Sequence, residues 1–193
     1  MFVDDLFRDV ISNKDLISFF NKEYISNKII AKKSILKKLG VSDLSKENLF
    51  EFLKNSSWLQ GREILWFNKL YELLDNLDVK REDFEILKSL EIFRTIKGRT
   101  LSLTENKLFF PLEGETNVSY DFFNDINFIN PSTLKFQNEG LYNRCISLFT
   151  QLGVKNTTPA EIIENHIVPT YIDGSFRNKS KTIKINYVKY IKD

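Results

Sequence analysis

The chain contains one cysteine and one histidine, Cys145 and His166, which are side chains that often carry nucleophilic catalysis or bind a metal ion. A zinc site needs several Cys, His or carboxylate ligands at suitable spacing, and the sequence contains no Cys/His cluster. A nucleophilic Cys–His pair needs only to be close in space. Cys145, however, belongs to an apolar run with Leu141 and Leu148, which predicts a buried thiol. We therefore predict no metal site and no catalytic residue, and a Cys145–His166 pair is kept as an alternative.

Two close pairs of carboxylates are further candidates for acid–base chemistry: Asp75 with Asp78, and Glu113 with Glu115. Neither pair comes with a neighbour that would separate its two pKa values, which acid–base catalysis by two carboxylates requires. The sequence also has no G-x-S-x-G nucleophile turn and no glycine-rich phosphate loop. We therefore expect neither an enzyme nor a cofactor-binding domain.

The strongest charge asymmetry lies in residues 177–193, where six cations accompany a single carboxylate, Asp193. The cations are Arg177, Lys179, Lys181, Lys184, Lys189 and Lys192. Because the whole chain has a net charge of +2, the remaining residues together carry about −3. With Tyr187 and Tyr190 among the cations, this segment is a candidate contact for nucleic acid or for an acidic partner. A solvated tail, or an edge strand protected by lysine, is the favoured interpretation of this pattern.

The elements that position these residues differ between the two halves of the chain. Residues 1–90 contain short amphipathic segments with apolar side chains at helical spacing. The most apolar segment, residues 61–77, is apolar over more than half of its circumference, which predicts a helix buried between other elements. Trp58 and Trp66 could form a ligand platform, but we expect them to belong to the core.

The second half combines strands and helices. Alternating apolar residues predict a small antiparallel sheet over about residues 91–110, and residues 182–188 are a candidate further strand. Helices are predicted over residues 141–152 and 159–168, the latter ended by Pro169. The predicted fold class is therefore α+β, with the sheet packed against the C-terminal helices.

This α+β chain has no low-complexity linker between its halves. We expect one domain over residues 1–193, or two tightly packed lobes, a helical one over 1–90 and a mixed one over 91–193.

One phrase occurs twice in the chain. "LKKLGVSDLSKENLFEFL" follows one predicted helix, and "LFTQLGVKNTTPAEIIENHI" follows another. In each copy a glycine, Gly40 or Gly153, is placed to end a helix in the left-handed conformation, and a valine follows it. A hydroxyl residue five positions later, Ser45 or Thr158, is placed to cap the next helix. We predict two helix–turn–helix corners of the same kind.

The second corner has the fuller set of signals for starting a helix. Thr158, Pro159 and Glu161 together form a capping box with proline at the first helical position. These three residues, with Gly40 and Gly153, are predicted to have structural roles.

The two phrases belong to an ordered set of stretches that resembles the sacsin and NO VEIN-type proteins. The stretches are "KKLGVSDLSKENLFEFL", "SSWLQGREILWFNKLYELL", "EIFRTIKGRTLSL", and "NFINPSTL" leading into "LFTQLGVKNTTPAEIIENHIVPTY". Proteins of this kind are very large chains that carry an N-terminal chaperone-type ATPase domain of the GHKL class. The present chain has no motif of that ATP site. The resemblance therefore implies a segment outside the ATPase domain, as a fragment or a stand-alone relative of a larger protein.

The resemblance implies a non-catalytic interaction or conformational-coupling segment of a large sacsin-like, chaperone-associated protein. Its partners would be other domains of that protein or separate proteins, and ATP would bind elsewhere in a parent chain. The alternative is a nucleic-acid-associated module of a bacterial defence-type protein that uses the basic C-terminal segment.

The sequence also predicts a cellular compartment. A single cysteine cannot form an intrachain disulfide, which fits a reducing environment. No apolar run is long enough to span a membrane, and the acidic N-terminus does not resemble a signal peptide. We expect a cytoplasmic protein without a membrane partner.

Overall fold

The computed structural model describes residues 5–24, 33–112 and 126–192. The carboxylates Glu113 and Glu115 lie outside the described residues.

Seven helices occupy the described part of the first ninety residues. They are α1 (Asp5–Val10), α2 (Asn13–Phe20), α3 (Lys33–Lys38), α4 (Lys46–Leu53), α5 (Ser56–Leu59), α6 (Ile64–Asn76) and α7 (Phe84–Ser89). Local signals explain several of their starts. The hydroxyl of Ser12, for example, accepts the N–H of Asp15, while the Asp15 carboxylate accepts the N–H of Ser12. The helical character predicted for this half is confirmed.

Helix α6 is the central element of the fold. It packs against α1 on one side and against α8 (Glu139–Leu152) on another. The indole N–H of Trp66 donates to the Val10 carbonyl at 2.8 Å. The fully buried Tyr71 donates its hydroxyl to the Ile92 carbonyl at 3.0 Å. The broad apolar surface of this helix is thus buried against its neighbours, as its sequence predicts.

A short hairpin follows the helical half. Strands β1 (Phe93–Arg94) and β2 (Thr100–Leu101) pair antiparallel, with Phe93 opposite Leu101. Gly98 takes a φ of +75° in the connecting turn, a conformation that glycine adopts without steric cost. The antiparallel pair and its turn agree with the sequence pattern.

The next strand belongs to a second sheet, which corrects the prediction of one antiparallel sheet over residues 91–110. Strand β3 (Leu108–Phe109) pairs in parallel with β4 (Asn127–Phe128). Lys155 also bridges to β3, since its N–H donates to the Leu108 carbonyl at 3.0 Å and its carbonyl accepts the Phe110 N–H at 2.9 Å. Both partners of β3 are distant in sequence, so local alternation could not identify them.

Proline does not end the helix that starts at Pro159, contrary to the prediction. Helix α9 (Pro159–Ile162) continues through a π-helical turn (Ile163–Ile167) into α10 (Val168–Ile172). Pro169 lies in the first turn of α10, a position where proline is tolerated. The wider π turn just before it allows the chain to remain helical.

Residues 182–188 are helical and not a strand. Helix α11 spans Lys181–Lys192. Ser180 precedes it, and the Ser180 hydroxyl accepts the Ile183 N–H at 3.3 Å. Ile183 and Tyr187, one helical turn apart, pack inwards, whereas Ile185 is 45% exposed. The residues whose alternation predicted a strand thus lie on the inner and outer faces of a helix.

The apolar residues form two clusters. The larger one surrounds α6 and includes side chains from Phe7 to Val154. The smaller one holds Phe128, Ile167 and Tyr187, and it joins β4 to the π-helical turn and α11. The α+β class with mostly helices is confirmed. None of the helices in the described residues is both long and apolar enough to cross a membrane.

Candidate interaction surface

The two repeated phrases form the same backbone corner. Gly40 and Gly153 have φ values of +85° and +114°. In the first corner the Gly40 N–H donates to the Lys37 carbonyl, and the next N–H donates to Leu36. In the second, the Gly153 N–H donates to Thr150 as well as to Phe149, and the next N–H donates to Phe149. This pair of bonds is the Schellman arrangement that ends a helix at glycine.

Each corner is followed by a capped helix. The Ser45 hydroxyl accepts the Asn48 N–H, and the Asn48 side chain accepts the Ser45 N–H. Thr158 and Glu161 make the same reciprocal bonds, at 3.2 and 2.9 Å. Pro159 occupies the first turn of its helix.

The corners differ in what they support. Val154 is buried at 2% exposure, whereas Val41 is half-buried. The residue after Val154 is Lys155, which joins β3. The second corner therefore brings α8 to the second sheet.

The side chains considered for catalysis occupy structural positions. Cys145 is fully buried, and its thiol lies 3.7 Å from the Tyr71 carbonyl. Burial, together with the negative charge of Asp75, raises the pKa of this thiol to about 12. A nucleophilic cysteine needs a lowered pKa, so this thiol is poorly suited to attack. His166 is half-buried in the π turn. Cys145 belongs to the larger apolar cluster, whereas the π turn contributes Ile167 to the smaller one.

Of the candidate carboxylates, the two within the described residues, Asp75 and Asp78, lie beside cations. Asp75 accepts two hydrogen bonds from the guanidinium Nε of Arg144, at 2.9 and 3.1 Å. Asp78 lies 3.9 Å from the Lys80 ammonium. Within residues 5–24, 33–112 and 126–192, no group of three or more His, Cys, Asp or Glu side chains could hold a metal ion.

The basic C-terminal segment is helical along most of its length. Arg177 lies in a 3-10 turn (Ser175–Asn178), Lys179 follows that turn, and Lys181, Lys184, Lys189 and Lys192 belong to α11. The Lys184 ammonium donates to the Arg177 carbonyl at 2.7 Å and lies 5.7 Å from the Phe176 ring centroid. This contact ties the start of α11 to the turn before it.

Helix α11 faces the protein with aromatic side chains. Tyr187 is 4% exposed and lies 6.5 Å, centroid to centroid, from the Phe176 ring. Phe176 in turn stacks on Tyr171 at 4.0 Å. This row of rings positions α11 against α10, and it assigns Tyr187 to the core where a nucleic-acid stacking role had been considered.

The opposite side of α11 combines aliphatic and basic side chains. Ile185, Val188 and Ile191 are 45%, 42% and 46% exposed. On a helix these three residues lie on the same side as Lys181. We call these four residues the outer face of α11. The prediction of a strand over residues 182–188 does not identify this face. The helical spacing of Ile183 and Tyr187 is the sequence signal that indicates it.

No acidic residue lies between Gly174 and Lys192. The nearest preceding carboxylate, Asp173, accepts the Ser175 N–H at 2.7 Å. Hydrogen bonds from the Ser175 hydroxyl and N–H hold the pKa of Asp173 below its usual value. The outer face of α11 therefore carries positive charge without a carboxylate from its own segment.

Comparison of the chain with protein-family models, with characterised proteins and with solved structures finds no match.

Proposed function

We propose that the chain is a non-catalytic interaction or conformational-coupling segment that binds a protein partner, or another domain of a larger protein, through the outer face of α11. The supporting observation is the composition of that face. Three aliphatic side chains, each more than 40% exposed, lie beside lysine on one helix. Covering them removes apolar surface from water, which is the main favourable contribution to most protein associations.

The expected partner surface is amphipathic and acidic. Apolar side chains would cover Ile185, Val188 and Ile191, and carboxylates around them would face Lys181 and Lys184. Complementary charge chiefly increases the association rate and the specificity, while burial of the aliphatic side chains supplies affinity.

Nucleic-acid binding is the second candidate, and the run of cations without carboxylates favours it. Phosphate contacts come mainly from lysine and arginine, and they gain little from exposed isoleucine and valine. The aliphatic residues of the outer face therefore favour a protein partner.

The wider proposal places this segment in a large, chaperone-type, ATP-binding protein of the sacsin kind. The coding sequence around this chain tests that placement, because a GHKL-type ATPase domain upstream is expected. The surface proposal is independent of this placement.

The surface is tested with a fluorescent amphipathic helical peptide of about 18 residues, with leucine along one face and glutamate elsewhere. Anisotropy titrations compare the natural chain with Ile185→Ser/Val188→Ser and with Lys181→Gln/Lys184→Gln. Leu65→Ser is the matched apolar control, since Leu65 is 66% exposed on a different helix. A scrambled peptide of the same composition and a labelled single-stranded DNA are titrated in parallel.

We expect each double substitution on α11 to weaken peptide binding about five- to tenfold and Leu65→Ser to leave it unchanged. Binding of the peptide that is insensitive to the Ile185/Val188 change would overturn the proposal. Tight DNA binding that depends on the lysines and on salt, but not on Ile185 and Val188, would establish the nucleic-acid function instead.

A further inference from the structure

A small groove lies beside the second corner, away from α11. Its volume is about 290 Å³, close to the lower end of the range for small-molecule sites. Three lysines line it: Lys88 at the end of α7, Lys107 just before β3, and Lys155 just after the corner. Three separate segments of the chain therefore contribute a cation to one groove.

Apolar side chains and one amide complete the groove. Leu103, Leu108 and Leu152 line it together with Asn106 and Gly153. A Cβ at Gly153 would meet no atom within 4 Å, so this position leaves open space in the groove wall. The groove thus combines cationic and aliphatic contacts, which suits a ligand with an anionic head and an apolar body.

Backbone hydrogen bonds hold the three lysine-bearing segments together. The Lys88 carbonyl accepts the N–H groups of Leu103 and Thr104, at 2.8 and 3.1 Å. Lys155 is paired through both its N–H and its carbonyl with the strand that follows Lys107. These bonds do not involve the ammonium groups. The backbone segments that carry the lysines therefore need little rearrangement when a ligand binds.

The charge of the groove is only partly neutralised within the protein. Lys88 pairs with Glu85 at 2.7 Å. In the described part of the chain, the side chains of Lys107 and Lys155 have neither an ion-pair nor a hydrogen-bond partner. No carboxylate lines the groove, and Glu105 is exposed outside it.

We propose that this groove binds a small phosphate monoester. The phosphate would lie between the ammonium groups of Lys107 and Lys155, and its apolar substituent would contact Leu103, Leu108 and Leu152. This site is independent of the outer face of α11, so either proposal can fail without the other.

The test is a titration of the full chain, labelled with ¹⁵N, with phenyl phosphate, followed by the shifts of backbone amides. Inorganic phosphate and phenol are titrated separately, to distinguish the anionic head from the apolar body. The variant is Lys107→Ala/Lys155→Ala, which leaves the backbone pairing of Lys155 in place. Lys14→Ala/Lys135→Ala removes the same charge from exposed positions elsewhere and serves as the control.

We expect saturable shifts at Leu103, Leu108, Gly153 and Lys155, tighter binding of phenyl phosphate than of phosphate or phenol, and about tenfold weaker binding in the Lys107/Lys155 variant. Equal affinities for that variant and the control would reduce the effect to general charge attraction and overturn the proposal. Shifts located on α11, or none that saturate, would overturn it as well. Spectra of both variants without ligand verify that the fold is retained.

Discussion

The substitution Gly153→Ala tests the second corner most directly, because the structure separates its two sources of cost. A Cβ built at Gly153 meets no atom within 4 Å, so steric overlap contributes nothing. The backbone, however, has a φ of +114° and a ψ of 10°. Residues with a Cβ are disfavoured in this region by about 1–2 kcal/mol. We expect the free energy of unfolding to fall by about that amount.

Two comparisons isolate the backbone effect. Gly153→Asn should cost less than Gly153→Ala, because asparagine tolerates the left-handed region better. Gly61→Ala adds a Cβ whose nearest contact is the Trp58 carbonyl at 3.9 Å, at a position without a positive φ. It should leave stability unchanged or raise it by about 0.5 kcal/mol, since alanine restricts the unfolded chain.

Replacing the glycine of the first corner should lower the stability of the protein less. Gly40 has a φ of +85°, but Leu39 beside it is 74% exposed and Ile35 is 57% exposed. Helix α3 is thus held by few apolar contacts, so it can open locally before the whole chain unfolds. We expect Gly40→Ala to lower the global free energy of unfolding by less than Gly153→Ala. Thr158→Ala, which removes the cap after the second corner, should cost about 1 kcal/mol.

Urea titrations followed by the fluorescence of the two tryptophans give the midpoint and slope for each variant. We expect Gly153→Ala to have the lowest midpoint of the glycine variants and Gly61→Ala the highest, at constant slope. If Gly153→Ala and Gly61→Ala unfold at the same urea concentration, the positive φ of Gly153 does not strain the corner.

Two further predictions concern buried polar contacts. Tyr71→Phe leaves the Ile92 carbonyl and the Arg94 N–H without the tyrosine hydroxyl, which lies 3.0 and 3.2 Å from them, and a urea titration should show a loss of about 1–3 kcal/mol. Burial by itself raises the pKa of Asp83. The hydrogen bonds from the Lys46 ammonium and the Lys80 N–H, together with the charges of both lysines, lower it by more, so the pKa lies below the ordinary value of 3.8. A lowered folded-state pKa means that the carboxylate stabilises the fold above about pH 4, and that this contribution disappears as pH falls through the folded-state value. Asp83→Asn should therefore unfold at lower urea than the natural chain at about pH 6, and the difference should shrink as the pH is lowered below about 4. A difference that stays constant as the pH falls would contradict the linkage.

The sequence alone determined the features that depend on neighbouring residues. The glycine corners and their caps follow from residues within a few positions of one another, and so does the hairpin turn at Gly98. Helix α6 was predictable because its apolar residues repeat at helical spacing over many residues. In each case the hydrogen bonds that form the element join residues that are close in sequence.

The tertiary structure decided the features that depend on distant partners. Residues 182–188 fit an alternating strand and a helix equally in their apolar pattern, and packing of Tyr187 and Ile183 on the second cluster selects the helix. Strand β3 pairs in parallel with β4, which is distant in sequence, and it bridges to Lys155 where α8 and the second corner return the chain to it. The three-lysine groove appears in no single stretch of sequence, because it combines residues that only long-range contacts bring to one surface. The residues of the outer face of α11 lie within one stretch, and packing against the second cluster decides that this stretch is a helix.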